Sequence, residues 1–139
     1  MTGAVFHIDD VTVSNGNFRK VIHTAKGMQL VLMSLLPNEE IGMEVHEHVD
    51  QFFRIESGHG LFVLGNIGHR VKEGDAFIVD RGTCHNVMNT DDSEPMKLYT
   101  VYSPPNHPPH RIQFVKPEET KKELKASRRL MVKHSCKTR

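Results

Sequence analysis

The sequence predicts an all-β domain, an antiparallel barrel or sandwich of at least eight short strands. Two observations carry this. Apolar and β-branched runs of four to eight residues recur between about Val5 and Val115, separated by Gly, Pro, Asn and Asp. The connections between them are too short for the crossover helices of a parallel α/β fold.

The elements follow in order. Gln29–Leu36 (QLVLMSLL) is a nearly continuous apolar run that Pro37-Asn38 stops. Ile41–His48 alternates and reads as a strand with Glu44, His46 and His48 on one face and Met43 and Val45 on the other. Gln51–Ile55 and Leu61–Leu64 are strands separated by Ser57-Gly58-His59-Gly60. In the first, Gln51, Phe53 and Ile55 face one way, and Phe52, Arg54 and Glu56 the other. Gly65-Asn66-Ile67-Gly68 reads as a hairpin turn before His69–Val71. Ala76–Val79 reads as a short buried strand, and Cys84–Asn89 and Lys97–Tyr102 as two more. Ser103–Pro109 (SPPNHPP) carries four prolines and must be extended and stiff. Pro117–Met131 reads as a short C-terminal helix, with Glu118 and Glu119 at its start and Arg128 and Arg129 towards its end. These divide the chain into a barrel over residues 1–115 and a basic helical appendage over 116–139.

Composition narrows the function classes. The hydrophobic and charged fractions, 37% and 25%, are those of a folded globular chain. No apolar stretch approaches the ~18 residues of a spanning helix, and MTGAVFHIDD lacks a secretory pattern, so the expected location is the cytoplasm with no membrane partner. Cys84 and Cys136 form no C-x-x-C pair, which argues against a disulfide framework and a cysteine zinc site. Cys84 is expected to pack as a small apolar residue. The net charge of +1 combines an acidic body with a basic tail. That tail has no interleaved aromatic residue, and the acidic body repels phosphate, so nucleic acid is not the expected partner.

Ten histidines are the compositional oddity. On a strand, His46 and His48 aim two imidazoles at one point. Gln51, past a turn at Val49-Asp50, and the downstream His85 could join them. His-x-His alone is a weak signal, which two exposed histidines on a strand edge also produce. Glu44 shares their parity. It could enter the barrel as a general base or as compensating negative charge, or local twist could turn it to solvent.

Residues 42–58, G-M-E-V-H-E-H-V-D-Q-F-F-R-I-E-S-G, resemble the first cupin motif, G-x5-H-x-H-x3-4-E-x6-G. Residues 74–89, G-D-A-F-I-V-D-R-G-T-C-H-N-V-M-N, resemble the second, G-x5-P-x-G-x2-H-x3-N. Gly74, Gly82, His85 and Asn89 fall at the family spacing, with Asp80 in place of proline. In the first motif Gly42 lies closer to His46 than the pattern asks, the step from His48 to the next ligand is one short, and Gln51 stands where glutamate is usual. The phrases D-Q-F-F-R-I-E-S-G and L-Y-T-V-Y-S-P-P resemble a branch labelled mannose-6-phosphate-isomerase-like, a label that says little about substrate.

The resemblance implies a cupin jelly-roll β-barrel (double-stranded β-helix) that dimerises. It also implies one divalent transition metal (Zn, Ni, Fe, Mn or Cu) on His46, His48 and His85 with Gln51. An amide in place of a carboxylate leaves the ion's charge uncompensated and favours an anionic ligand. Two functions fit: a metal-dependent isomerase, epimerase or oxygenase acting on a small polar metabolite, or a non-catalytic barrel that binds one.

Overall fold

A computed structural model of the chain describes residues 2–118. Its elements are a helix α1 (Ile8–Ser14) and nine strands: β1 (Arg19–Thr24), β2 (Gln29–Leu35), β3 (Asp50–Ser57), β4 (His59–Leu64), β5 (Ile67–Lys72), β6 (Ala76–Val79), β7 (His85–Asn89), β8 (Met96–Ser103) and β9 (Ile112–Gln113). Every pairing is antiparallel. Six strands form one sheet in the order β6-β3-β8-β2-β1-β9, and β5-β4-β7 form a second. This is the jelly-roll barrel implied by the sequence.

Period-two burial places the core between the sheets. On β3, Gln51, Phe53 and Ile55 are buried while Phe52, Arg54 and Glu56 are only partly so. On β8, Met96, Leu98, Thr100 and Tyr102 form the matching inward row. Phe53 of the larger sheet and Phe62 of the smaller both pack on Phe77, with ring centroids 4.9 and 3.9 Å from it and 6.3 Å from each other, which ties the sheets together. β2 breaks the alternation because both of its faces are covered. It lies between β1 and β8. Lys97 reaches across from β8 to donate to Ser34 Oγ at 2.9 Å and to the Asn15 carbonyl at 2.7 Å, just past α1.

Two close approaches fix local sequence. A Cβ on Gly60 would sit 2.0 Å from the Met88 carbonyl oxygen, so the β4–β7 pairing admits no side chain there. The SPPNHPP segment is pinned by buried Gln29. Its amide nitrogen donates to the His107 carbonyl at 2.7 Å, and its oxygen accepts the backbone N–H groups of Asn106 and His107 at 3.1 and 2.9 Å.

Four expectations need correction or bounding. α1 lies at the start of the region from about Val5 that reads as short strands; it buries Thr12 completely, and the Thr12 hydroxyl donates to the Ile8 carbonyl one turn back. Residues 41–48 are not a regular strand. They make a single bridge, at Glu44, after another at Glu40, and the chain bends at Glu47-His48. On β6 only Val79 is buried, because β6 is a sheet edge. The expected C-terminal helix falls, apart from its first two residues, outside the described residues.

Candidate metal centre

His85, the first residue of β7, and Glu44 exchange two backbone hydrogen bonds, Glu44 N–H to His85 O at 2.9 Å and His85 N–H to Glu44 O at 3.0 Å. Directly opposed residues of an antiparallel pair project to the same side. Glu44 and His85 are therefore neighbours by backbone register. Two residues on, the His46 carbonyl accepts the Gly82 N–H at 2.7 Å, which fastens His46 to the turn entering β7. Gly82 has φ 82°, a conformation that favours glycine.

These constraints gather three donor groups. Glu44 Oε2 lies 3.2 Å from His46 Nε2 and 4.0 Å from His85 Nε2, and the three atoms fall within 4.8 Å of one another. Two ligands each about 2.1 Å from a tetrahedral or octahedral ion are roughly 3–3.5 Å apart, so an ion fits here with small adjustments. The His85 Nδ1–H donates to the Thr83 carbonyl at 3.0 Å, which leaves Nε2 with its lone pair facing the cluster.

Gln51 supplies a fourth atom of the same kind. Its Nε2 donates to Thr100 Oγ1 at 2.9 Å, and that hydroxyl donates to the Phe52 carbonyl at 2.8 Å. Because the hydroxyl's single proton goes to Phe52, the Gln51 group facing it must be the amide nitrogen. The carboxamide oxygen is left over. Gln51 Oε1, His46 Nε2 and His85 Nε2 are all buried and make no well-aligned hydrogen bond among the described residues. Buried polar atoms are normally paired, so the two orphaned imidazole nitrogens beside the Glu44 carboxylate fit a cation as their shared partner.

The electrostatics agree. Burial pushes the Glu44 carboxyl up, but the adjacent His46 imidazole and the charges of His46, His85 and Arg19 outweigh it and hold Glu44 below the ordinary carboxylate value. Burial lowers His85 below the ordinary histidine value, against the opposing pull of the Thr83 carbonyl and Glu44. An anionic carboxylate and a neutral imidazole are the protonation states that metal ligation requires. Tyr102 stands edge-on to His46 with ring centroids 5.9 Å apart, and Phe53 packs 6.0 Å from the His85 ring. Burial raises Tyr102 above the ordinary phenol range, so it remains a hydroxyl. Outside the cluster, Asp50 receives Arg81 in a two-pronged pair at 3.1 and 2.9 Å, tying the start of β3 to the turn before β7. The Arg81 hydrogen bonds hold Asp50 below the ordinary carboxylate value.

Of the residues singled out in the sequence, the fold brings Glu44, His46 and His85 together and aims a buried Gln51 inward. It does not bring His48. The bend at Glu47-His48 leaves His48 exposed and outside the cluster, so His46 pairs with Glu44 instead. The two misfits of the first motif disappear when its register moves back by two residues. The motif then reads Asn38-x5-Glu44-x-His46-x4-Gln51-x6-Gly58, with every spacing met. Asn38 stands at the glycine position and adopts φ 62°, a backbone conformation that asparagine tolerates better than most residues. Glu44 is then in place of the first histidine. Cys84 is buried as expected but is disulfide-bonded and not a free thiol, contrary to the argument against a disulfide. The sequence reading missed Arg19, Tyr102 and His107, which flank the cluster. The inward row Met96, Leu98, Thr100, Tyr102 was the available signal for Tyr102.

Comparison with known proteins identifies the family of the chain. Residues 31–102 match the Cupin_2 family, described as a cupin domain. The chain is 44% identical over 110 residues to the uncharacterized protein YrkC of Bacillus subtilis (strain 168), covering 75% of this chain and 59% of that one. It is 38% identical over 117 residues to an uncharacterized protein of Acanthamoeba polyphaga mimivirus, covering 82% and 73%. The chain thus spans less than two thirds of the Bacillus subtilis relative. A crystal structure of a Bacillus halodurans protein superposes with a TM-score of 0.79 at 38% identity, covering 81% of this chain and 89% of that one.

Proposed function

This chain belongs to the Cupin_2 family of cupin domains, and from that footing we propose that it is a metal-dependent enzyme acting on a small polar metabolite. The observation that carries the reading is the convergence of Glu44 Oε2, His46 Nε2 and His85 Nε2 within 4.8 Å, and Gln51 Oε1 is also buried and unpaired. Glu44, His46 and His85 would hold the ion, with Gln51 as a neutral fourth donor. A bound Zn, Ni, Fe, Mn or Cu would act as a Lewis acid on a substrate oxygen. Isomerisation or epimerisation beside a carbonyl, and oxygen-dependent chemistry, are the reaction classes this donor set supports.

The chain's own residues then have definite tasks. Glu44 supplies the negative charge that the sequence reading found missing, and as a ligand it is not free to act as a general base. Thr83 orients His85, and Thr100 orients Gln51. Tyr102 offers a protonated hydroxyl beside His46, hydrogen-bonded to His107 at 3.2 Å. The test is turnover of sugar phosphates, keto acids and catechols by metal-loaded protein, lost on chelation and in His46→Ala. Ligand-induced thermal stabilisation without any product would replace the enzyme reading by a binding barrel.

The reading includes a homodimer. Ile67 and Ile78 are 60% and 62% exposed on the sheet edges β5 and β6, where a second copy would cover them. Sedimentation at a mass near 15.8 kDa, that of one chain, would rule it out. No described helix is long and apolar enough to cross a membrane.

A further inference from the structure

Arg19 is the one arginine buried among the described residues, 8% exposed at the start of β1. It shares strand parity with Val21, a member of the core, so its side chain belongs to the interior face. Its Nη1 donates to the neutral side-chain oxygen of Gln113, and its Nε is buried with no partner. No carboxylate among the described residues lies within ion-pair distance of it. Its charge nevertheless acts on Glu44, Tyr102 and His107, the groups around the candidate metal centre. A guanidinium with an unused buried donor is costly unless something anionic completes it.

Charge counting gives the class of that partner. Glu44 and Arg19 balance, and imidazoles that ligate a metal are neutral. A divalent ion therefore leaves two positive charges in the interior, one centred on the ion and one available at the guanidinium. We propose that Arg19 anchors one anionic group of a small organic diacid whose other end reaches the Glu44–His46–His85 centre. The fork geometry of a guanidinium suits a carboxylate, and the protonated Tyr102 hydroxyl is a second donor on the same side. The inference rests on the metal reading above and names its substrate class.

The test separates the two. Zinc binding is measured first by calorimetry on wild type, Arg19→Gln and Arg19→Lys. Malonate and succinate are then titrated into each zinc-loaded protein, alongside their monoamides, which keep one carboxylate and lose the other. Arg19→Gln should bind zinc as tightly as wild type or a few-fold more tightly, since a neighbouring positive charge has gone. Its affinity for the better diacid should fall about tenfold or more, with the monoamide changing less than about threefold. Arg19→Lys should be intermediate, and it carries the comparison if Arg19→Gln does not fold. Parallel losses for diacid and monoamide, no loss for either, or no diacid binding by zinc-loaded wild type would overturn the proposal. If wild type binds no zinc, the metal reading fails by itself. Arg19 is then judged by the same diacid-to-monoamide ratio on metal-free protein.

Discussion

Replacing Gln51 by glutamate, the residue usual at this position of the motif, should have opposite effects with and without metal. In the metal-free protein Gln51 Nε2 donates to Thr100 Oγ1 at 2.9 Å, and the proton of that hydroxyl is already given to the Phe52 carbonyl. A carboxylate oxygen in place of the nitrogen would face an oxygen with no proton to offer. The lost hydrogen bond is worth about 1 kcal/mol, and the unsatisfied buried acceptor adds roughly 1–3 kcal/mol. Metal-free Gln51→Glu should therefore be less stable by ~2–4 kcal/mol at pH 7. For a chain of this size that is a fall of about 10 °C in Tm. The pH dependence has a definite sign. Burial raises the new carboxyl above its ordinary value of about 4.3. Below that value both folded and unfolded forms are protonated, and the acid O–H can donate to Thr100. The deficit is then small, and it grows as pH rises towards the folded-state value. Zinc should reverse the ranking, because a carboxylate is a stronger ligand than an amide oxygen, so the rise in Tm on adding zinc should be larger in the variant. Thermal melts with EDTA and with zinc, at pH 4 and pH 7, provide the measurement. A metal-free variant melting within about 2 °C of wild type at pH 7 would refute the assigned amide orientation, and a smaller zinc increment would refute the inward carboxamide oxygen.

Two further outcomes follow from single positions. Burial first, and then the charges of Arg19 and Arg111, lower His107 to about 4. Below pH ~6.5 the unfolded chain takes up a proton that the folded chain refuses, so stability should drop by up to about 2 kcal/mol between pH 6.5 and 4. His107→Gln should flatten that slope in denaturant titrations, and an unchanged slope would contradict the burial argument. Gly60→Ala places a methyl 2.0 Å from the Met88 carbonyl oxygen, so β4 and β7 must separate. A loss of at least ~3 kcal/mol in chemical unfolding is expected, and a loss under ~1 kcal/mol would show that the strands are not that close.

Periodicity made the barrel legible. The alternation of Gln51, Phe53 and Ile55 and the spacing of Gly74, Gly82, His85 and Asn89 survive unchanged in the structure. α1 was hidden because its stretch, with Val11 and Val13, reads as strand, and only the complete burial of Thr12 shows that tertiary contact decides for the helix. The candidate metal centre was half legible. The period-two rule correctly placed Glu44 with His46, but it extended to His48 because nothing in E-V-H-E-H-V-D marks a bend at Glu47-His48. A second histidine two residues on resembled the motif closely enough to conceal the alternative register that starts at Glu44. Arg19 lay far from both motifs, and only the closing of β1 over the interior connects it to them.

The register of the first motif is best decided by metal content. Wild type, His46→Ala, His48→Ala and His85→Ala would be stripped with chelator, reloaded with zinc, desalted and analysed for metal per chain. Wild type and His48→Ala should keep equal zinc, while His46→Ala and His85→Ala lose it. Loss of the ion in His48→Ala, or retention in His46→Ala, would contradict a centre built on Glu44, His46 and His85.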